Sequence, residues 1–357
     1  MKRKVIKQVL EWTIIILLFA LYAFLVVDAV ASSENVIYTI GFCALGLIIT
    51  VFLSSLVHEL GHLIFGLLAG LKIRSITVLF IKFTFKSKRF PKIQFVMPND
   101  FGLTEFLPRT SRGFAKKICI SAIGGLVFST LYLAMGIAFM YVGNYFTYCV
   151  FGITFPITAY IILVNLIPFD ETSDGYLIFT LMAGGKLKRV IENSLTAIAD
   201  VMLGVEPKDL DSRLLAEFTS ECDVYSVRVI YMRYLAYFRR DRERAVKELI
   251  SICDSQKLNE EFYMIIFKEL FYNAILNSDD AYVKANAEEA INYLSYEMHP
   301  IDYRIHASYR LYSGDYDWAN LIVKAGEDKI TSFEERGICT AELDYLKDIK
   351  SQLDKFL

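Results

Sequence analysis

The chain has 357 residues, is 55% hydrophobic and carries a formal net charge of −2. A charge this close to zero argues against nucleic acid as a partner, because polyanion binding needs a basic surface. The mean hydropathy of +0.39 averages an apolar first half and a charged, helix-forming second half that starts at about residue 186. The six cysteines have no paired spacing, which predicts buried free thiols in a reducing compartment rather than disulfides or a cysteine zinc site.

The N-terminus MKRKVIKQ is basic and precedes the continuous apolar run WTIIILLFALYAFLVV. We expect a retained transmembrane helix within residues 1–35, because the run is long for a secretory signal peptide and Trp12 lies where an interfacial anchor would. The alternative is a signal peptide that ends near Ala29-Val30-Ala31. Both interpretations leave residues 32–35 on the outer side of the membrane.

Three further apolar stretches follow, at about 36–71, 118–142 and 146–169, and each is long enough to cross a bilayer. Between the first two, residues 72–117 contain eleven Lys or Arg and two acids. Alternating β-branched and aromatic residues there predict a small membrane-associated β segment at about 72–105. The positive-inside rule assigns the N-terminus, this basic segment and everything after residue 185 to the cytoplasm. The sequence therefore predicts a mainly α-helical, multi-pass protein of the cell membrane with about four spans.

The second half predicts a cytoplasmic all-helical domain. The stretches YLAYFRRDRERA, LFYNAILNSDDA and YRLYSGDYDWA recur 35 to 40 residues apart. Each is typical of a helix end, a polar turn and the start of another helix. The spacing favours tetratricopeptide-like repeats, although a generic helical bundle fits nearly as well. A helical array of this kind suits the docking of a protein partner.

The second apolar stretch contains HELGH, in which His58 and His62 flank Glu59 in an H-E-x-x-H pattern. On a helix, residues four apart share a face, so both imidazoles can bind one metal ion, and neutral imidazole is a favoured zinc ligand. Glu59 is the predicted general base that takes a proton from water. The alternative, in which the histidines only form hydrogen bonds between helices, is disfavoured because an idle glutamate at membrane depth costs about 2.5–3.5 kcal/mol.

A catalytic zinc needs a third protein ligand. The fourth apolar stretch supplies two candidates, Asp170 and Asp174, and Gly175 after the second one permits a turn. Asn165 and Pro168 interrupt the apolar run just before them. A proline at this depth frees backbone groups that only protein or water can satisfy. From the residues alone, either aspartate completes the site.

HELGH in one span, together with N-L-I-P and a later D-G in another, resembles the site-2 proteases, the intramembrane zinc metalloproteases. The resemblance covers about residues 36–180. It implies that Glu59 is the catalytic base, and it implies these zinc ligands: His58, His62 and Asp174. It also implies that Asn165 and Pro168 shape the substrate groove near the metal, and that FGLTEF is the strand that pairs with the substrate.

The chain departs from the family in two places. The family has a Gly-Pro-small-x-Asn signature in the intervening helix, which lies between the HELGH span and the D-G span. AIGGLVFS resembles this signature at Gly125, but Leu126 and Ser129 replace the Pro and the Asn. The spacing from Asn165 to Asp174 is one residue longer than in the family, which keeps Asp170 open as the third ligand. The D-G pair and the apolar YLIF that follows it favour Asp174.

The sequence thus predicts an intramembrane zinc metalloprotease that cleaves a membrane-tethered protein or peptide in or next to its transmembrane segment, as in regulated intramembrane proteolysis. Three domains are predicted: an N-terminal transmembrane helix at 1–35, a protease-like core at 36–185 and the cytoplasmic helical domain at 186–357. The alternative is a non-proteolytic membrane transport, immunity or scaffold protein that retains the zinc-site fold. The altered intervening helix, the longer spacing from Asn165 to Asp174 and the large soluble half favour that alternative. The presence of Glu59 beside both histidines argues against it.

Overall fold

A computed structural model of the chain describes residues 2–85, 91–97, 102–168, 171–217, 224–255, 260–295 and 298–356. The chain forms two compact units. The membrane unit comprises Met1–Arg109 and Ala115–Gly184, and the helical unit comprises Thr110–Phe114 and Gly185–Leu357. Gly184 and Gly185, at the change of unit, both have positive φ, 79° and 82°, a conformation that glycine adopts without strain.

The membrane unit is mainly helical, as predicted. Its helices are α1 (Lys2–Ala31), α2 (Val36–Leu68), α3 (Phe114–Val142), α4 (Tyr145–Thr147), α5 (Phe155–Leu166) and α6 (Asp174–Ala183). Within the described residues, four segments are long and apolar enough to cross a membrane: Val9–Ala31, Val36–Leu68, Phe114–Val142 and Tyr145–Leu166. Large apolar side chains are exposed along them, including Phe19 and Ile48 at 70% each. Such exposure is expected of surfaces that face lipid.

The fourth span is not one continuous α-helix. A π-helical turn, Tyr148–Gly152, separates α4 from α5, and Pro156 lies in the first turn of α5, where its missing N–H is tolerated. Helix α5 ends at Leu166, and Ile167 after it is extended with a ψ of 123°. The reason is Pro168, because a residue that precedes proline avoids the helical conformation.

Pairs of hydroxyl groups join α2 to the fourth span. Thr50 Oγ1 lies 2.7 Å from Thr154 Oγ1, and Ser54 Oγ lies 2.9 Å from Thr158 Oγ1. All four side chains are buried. Because lipid offers no driving force to pack apolar helices together, hydrogen bonds of this kind stabilise the contact between spans.

The predicted β segment is a small antiparallel sheet. Its strands are β1 (Lys72–Val78), β2 (Ile81–Thr84), β3 (Lys92–Phe95) and β4 (Gly102–Leu107). The strand order is β3-β2-β1-β4, so β4 is an edge strand among the described residues. The sheet runs from Lys72 of β1 to Leu107 of β4 and so ends two residues beyond the predicted segment. Side chains alternate along β4, which puts Gly102, Thr104 and Phe106 on one face.

Glu105, on the opposite face of β4, is held by a polar cluster. Its carboxylate accepts a hydrogen bond from the Ser75 hydroxyl and lies 3.6 Å from Arg74 Nη1 and 3.1 Å from Lys82 Nζ. Burial raises the pKa of the Glu105 carboxyl, but the hydrogen bond and the two cations outweigh burial and hold this pKa below its usual value. The cluster ties β4 to β1 and β2.

In the helical unit, helices that are neighbours in the chain pack against each other in pairs. These helices are α7 (Gly185–Leu203), α8 (Val224–Tyr237), α9 (Arg242–Ser255), α10 (Glu260–Leu276), α11 (Asp280–Ser295), α12 (Pro300–Tyr312), α13 (Tyr316–Lys329) and α14 (Arg336–Leu353). Short 3₁₀ turns lie at Pro207–Asp209, Ser212–Leu215 and Ile330–Ser332. The three predicted polar turns are confirmed, since they separate α8 from α9, α10 from α11 and α12 from α13.

Arg304 on α12 is the central charge of the helical unit and is only 1% exposed. Its Nη2 donates to Glu269 of α10 at 2.8 Å, and its Nε donates to Glu342 of α14 at 2.8 Å. The guanidinium lies 4.2 Å from the centre of the Tyr272 ring. Because a buried charge is tolerated only when it is paired, these contacts specify how α10, α12 and α14 pack.

Candidate metal centre

The HELGH sequence lies in the last three turns of α2, and both of its histidines project to one side. His58 Nε2 and His62 Nε2 are 3.1 Å apart, and the two rings are nearly perpendicular at 87°. His58 is 5% exposed and Glu59 is 3% exposed. The four-residue helical spacing therefore brings the two imidazoles together, as the sequence predicts.

Asp174 reaches the histidines from the first turn of α6. Ser173 caps this helix, and Asp174 Oδ2 lies 3.3 Å from Nε2 of each histidine. A Cβ atom at Gly175 would collide with the carbonyl oxygen of Leu166. The glycine therefore lets α6 start directly beside the end of α5, and this close start is what holds Asp174 next to α2.

The three ligand atoms form a compact triangle with edges of 3.1, 3.3 and 3.3 Å. A tetrahedral site with metal–ligand bonds of about 2.0–2.1 Å has neighbouring ligand atoms about 3.3–3.4 Å apart. Asp174 Oδ2 is buried and accepts no hydrogen bond from a donor in the described part of the chain. A buried carboxylate oxygen that faces two imidazole nitrogens suits one small cation bound by all three atoms.

Helix α3 orients both rings through their other nitrogen. His62 Nδ1 lies 3.1 Å from the carbonyl oxygen of Ser121, which only accepts hydrogen bonds. Nδ1 of His62 is therefore the protonated nitrogen, and Nε2 keeps its lone pair for a metal. His58 Nδ1 contacts the Ser129 hydroxyl at 2.9 Å. Such outer contacts fix the tautomer and the ring orientation of metal ligands.

Glycines allow α3 to come this close to α2. A Cβ atom on Gly61 would collide with the carbonyl oxygen of Gly124, so the two backbones touch. A Cβ atom on Gly125 would lie 2.6 Å from Nε2 of His62 and 3.0 Å from Cε1 of His58. The absence of a side chain at Gly125 therefore leaves room beside the ligand nitrogens.

Strand β4 holds the motif glutamate. Thr104 Oγ1 donates to Glu59 Oε2 at 2.6 Å and lies 3.4 Å from the Glu59 carbonyl oxygen. A Cβ atom on Gly102 would lie 2.8 Å from the Glu59 carboxyl carbon, and the Phe106 ring covers Gly66. Sequence reasoning missed the role of Thr104. The one signal for it was the alternation in GLTEFL, which predicts a shared face for these three β4 residues.

The predicted groove residues Asn165 and Pro168 lie near the C-terminal end of α5 and just beyond it. Asn165 Nδ2 donates to the Ile161 carbonyl oxygen at 2.9 Å within α5, and Pro168 is exposed just beyond the helix. Their role in a substrate groove stays a prediction. Asp170 lies outside the described residues. The predicted buried free thiols are found at the described cysteines Cys43, Cys149 and Cys339, whereas Cys119 is free but only partly buried.

Ser129 gains a clear role from the structure. Its hydroxyl lies 2.9 Å from Nδ1 of His58, the first histidine of the motif. Ser129 therefore supplies a hydrogen-bonding group that orients the His58 ring. In the sequence, the AIGGLVFS stretch, which contains Ser129, is the pattern that indicates a role for this part of α3.

Comparison with protein-family models, with curated proteins and with solved structures gives no match for this chain. The geometry around His58, His62 and Asp174 and the motifs in the sequence are therefore the basis for inferring a function. Two imidazole nitrogens and one carboxylate oxygen are a donor set used by catalytic zinc.

Proposed function

We propose that this chain is an intramembrane zinc metalloprotease. The observation that carries the proposal is the convergence of His58 Nε2, His62 Nε2 and Asp174 Oδ2 in a unit that contains four apolar spans. A catalytic zinc site takes three protein ligands and keeps a fourth position open. Ionisable groups at membrane depth are costly, and they are therefore functional candidates by default.

The residues around the triangle would perform the proton transfers. Zinc, when bound, would supply polarisation of a peptide carbonyl and a lowered pKa for an attacking water. Glu59 accepts the proton of that water and passes it to the leaving amine. Ser121 and Ser129 hold the imidazole rings, so that Nε2 of each histidine stays directed at the site. Glu59 is 3% exposed, so its carboxylate is shielded from bulk water.

The proposed substrate is a membrane-tethered protein or peptide. A transmembrane helix must unwind before it presents a peptide bond, and an extended segment can pair with an edge strand through backbone hydrogen bonds. In the described residues, β4 pairs only with β1, and the same strand contacts Glu59. This proximity supports cleavage of a segment that lies along β4.

The proposed orientation puts the N-terminus and the helical unit in the cytoplasm. The basic residues of the N-terminus and of 72–117 support it through the positive-inside rule. His58 lies ten residues before the end of α2 at Leu68, about 15 Å at the helical rise. The proposed cleavage site is therefore in the half of the membrane nearer the cytoplasm.

The test compares cells that express the wild type with cells that express Glu59→Gln, which keeps the size of the side chain and removes the base. We expect membrane proteins or peptides that accumulate only with the variant, and purified wild type should cleave a tagged reporter made from one of them. The variant should keep its zinc. Glu34→Gln, in the exposed loop between α1 and α2, is the matched control and should behave as wild type.

One result would count against a protease, and another would count only against the role of Glu59. The first is an identical set of membrane proteins and peptides in wild-type and Glu59→Gln cells. The second is undiminished reporter cleavage by Glu59→Gln, which would remove the assigned role of Glu59. The first result, combined with zinc bound by wild type, would favour a non-proteolytic membrane protein that retains the site.

A further inference from the structure

We infer that Thr104 is a positioning residue that links strand β4 to the general base, an inference that rests on the proposed function. Its hydroxyl donates to Glu59 Oε2 at 2.6 Å. The contact joins residues 45 positions apart in the chain. It connects the sheet edge proposed for the substrate with the group proposed to move the proton.

Thr104 is held between two close contacts of the same strand. Two residues earlier, Gly102 lies so close to Glu59 that an added Cβ atom would collide with Oε1. Two residues later, Phe106 is 9% exposed and packs on Gly66 of α2. Side chains two apart on a strand share a face. These contacts therefore fix the position and the orientation of the Thr104 side chain relative to Glu59.

The arrangement assigns a different task to each oxygen of the carboxylate. Oε2 receives the threonine hydroxyl, and the absence of a side chain at Gly102 lets the strand pack against the carboxylate without displacing Oε1. Oε1, which does not receive the Thr104 hydroxyl, is the oxygen assigned to accept the proton from water. Threonine suits this task, because branching at Cβ restricts its side chain to few rotamers and the hydroxyl stays in place.

The same strand would bind the substrate. Substrate binding at β4 is therefore coupled to the positioning of Glu59 for proton transfer. In the described residues, the outer edge of β4 has no strand partner. A peptide that pairs there bonds the backbone of the strand that carries Thr104, and it fixes the position of that strand relative to α2. We therefore expect loss of the Thr104 hydroxyl to lower turnover more than it weakens substrate binding.

The first test is kinetic and uses the full chain with the cleaved reporter. Thr104→Val should lower kcat by about 10- to 100-fold, since misplacement of a catalytic group by about 1 Å has effects of this size. KM should change by less than about threefold, and the zinc content should not change. Thr104→Ser keeps the hydroxyl and should restore most of kcat. Thr77→Val in β1, whose strand partner is Leu103, is the control and should leave kcat unchanged.

The second test measures the contact without any need for proteolysis. In detergent, Thr104→Val should lower the Tm by about 2–4 °C when Glu59 is present, and it should have almost no effect in a Glu59→Leu background. Gly102→Ala should also lower the Tm, because it forces the carboxylate aside. This double-mutant cycle isolates the interaction of the two side chains.

The two tests separate the ways in which the inference can fail. Equal effects of Thr104→Val in both backgrounds would overturn the contact, whether or not the chain is a protease. Coupling in Tm together with unchanged kcat would overturn the positioning role alone. A wild type that cleaves no reporter would remove the proposed function and the positioning role with it, while the double-mutant cycle would still decide the contact.

Discussion

Gly125 of α3 lies directly against His62 of α2, so that a Cβ atom at residue 125 would come within 2.6 Å of the ligand nitrogen Nε2. Contacts this short do not occur for real side chains, so any larger residue must displace the imidazole. The small residue therefore belongs to the metal centre, although it offers no ligand atom. It preserves space where the two histidines and Asp174 converge.

Gly125→Ala should weaken zinc binding by about tenfold or more, as changes next to metal ligands commonly do. The measurement is competition for zinc with a chromophoric chelator in detergent solution. Gly41→Ala in α2 is the matched control, because a Cβ atom at residue 41 would meet no atom within 4 Å. Equal zinc affinities for the two variants would contradict the proposed role of Gly125.

Arg304→Met should destabilise the helical unit strongly. It leaves Glu269 and Glu342 buried without their cation, a change that costs about 3–5 kcal/mol. Hydrogen exchange of the full chain, followed on peptides from α10, α12 and α14, should show faster exchange in the variant. Arg213→Met should change exchange little, because the ion pair of Arg213 with Asp211 is exposed. Exchange rates equal to those of wild type in Arg304→Met would refute this account of the core.

Glu105 should make stability depend on pH. Burial alone would raise its pKa, but Ser75, Arg74 and Lys82 hold this pKa below its usual value in the folded chain. A carboxyl with a lowered folded pKa contributes stability above its unfolded pKa, about 4.3, and loses that contribution as the pH falls through the folded pKa. Glu105→Gln should therefore lower the Tm at about pH 7, and the difference from wild type should narrow as the pH falls.

The measurement for Glu105 is a series of thermal unfolding curves in detergent for wild type, Glu105→Gln and the exposed control Glu34→Gln. The control should follow wild type across the series. A difference between wild type and Glu105→Gln that stays constant with pH would argue against a contribution from the charge of Glu105.

Much of the fold follows from local patterns in the sequence. The four apolar spans follow from length and hydropathy, and the polar turns of the helical unit follow from short stretches such as YRLYSGDYDWA. The proximity of His58 and His62 follows from helical periodicity, because both residues lie on one helix. Each of these predictions depends on residues that are neighbours in the chain.

The support around the site depends on contacts between distant segments. Ser129 is 71 residues from His58, and Thr104 is 45 residues from Glu59. The alternation in β4 predicts which of its residues share a face, but it does not predict that this face covers α2. The D-G pair is a local sign of the turn that starts α6 at Asp174, but it does not predict that this start lies next to the two histidines of α2.

The most direct test of the account is the metal content of the purified full chain in detergent, measured by elemental mass spectrometry. We expect about one zinc per chain for wild type, loss of that zinc in Asp174→Asn, and retention of it in Asp170→Asn. Loss in Asp170→Asn with retention in Asp174→Asn would move the third ligand to Asp170. A folded wild-type chain that retains no stoichiometric metal would contradict the metal centre and the proposed function together.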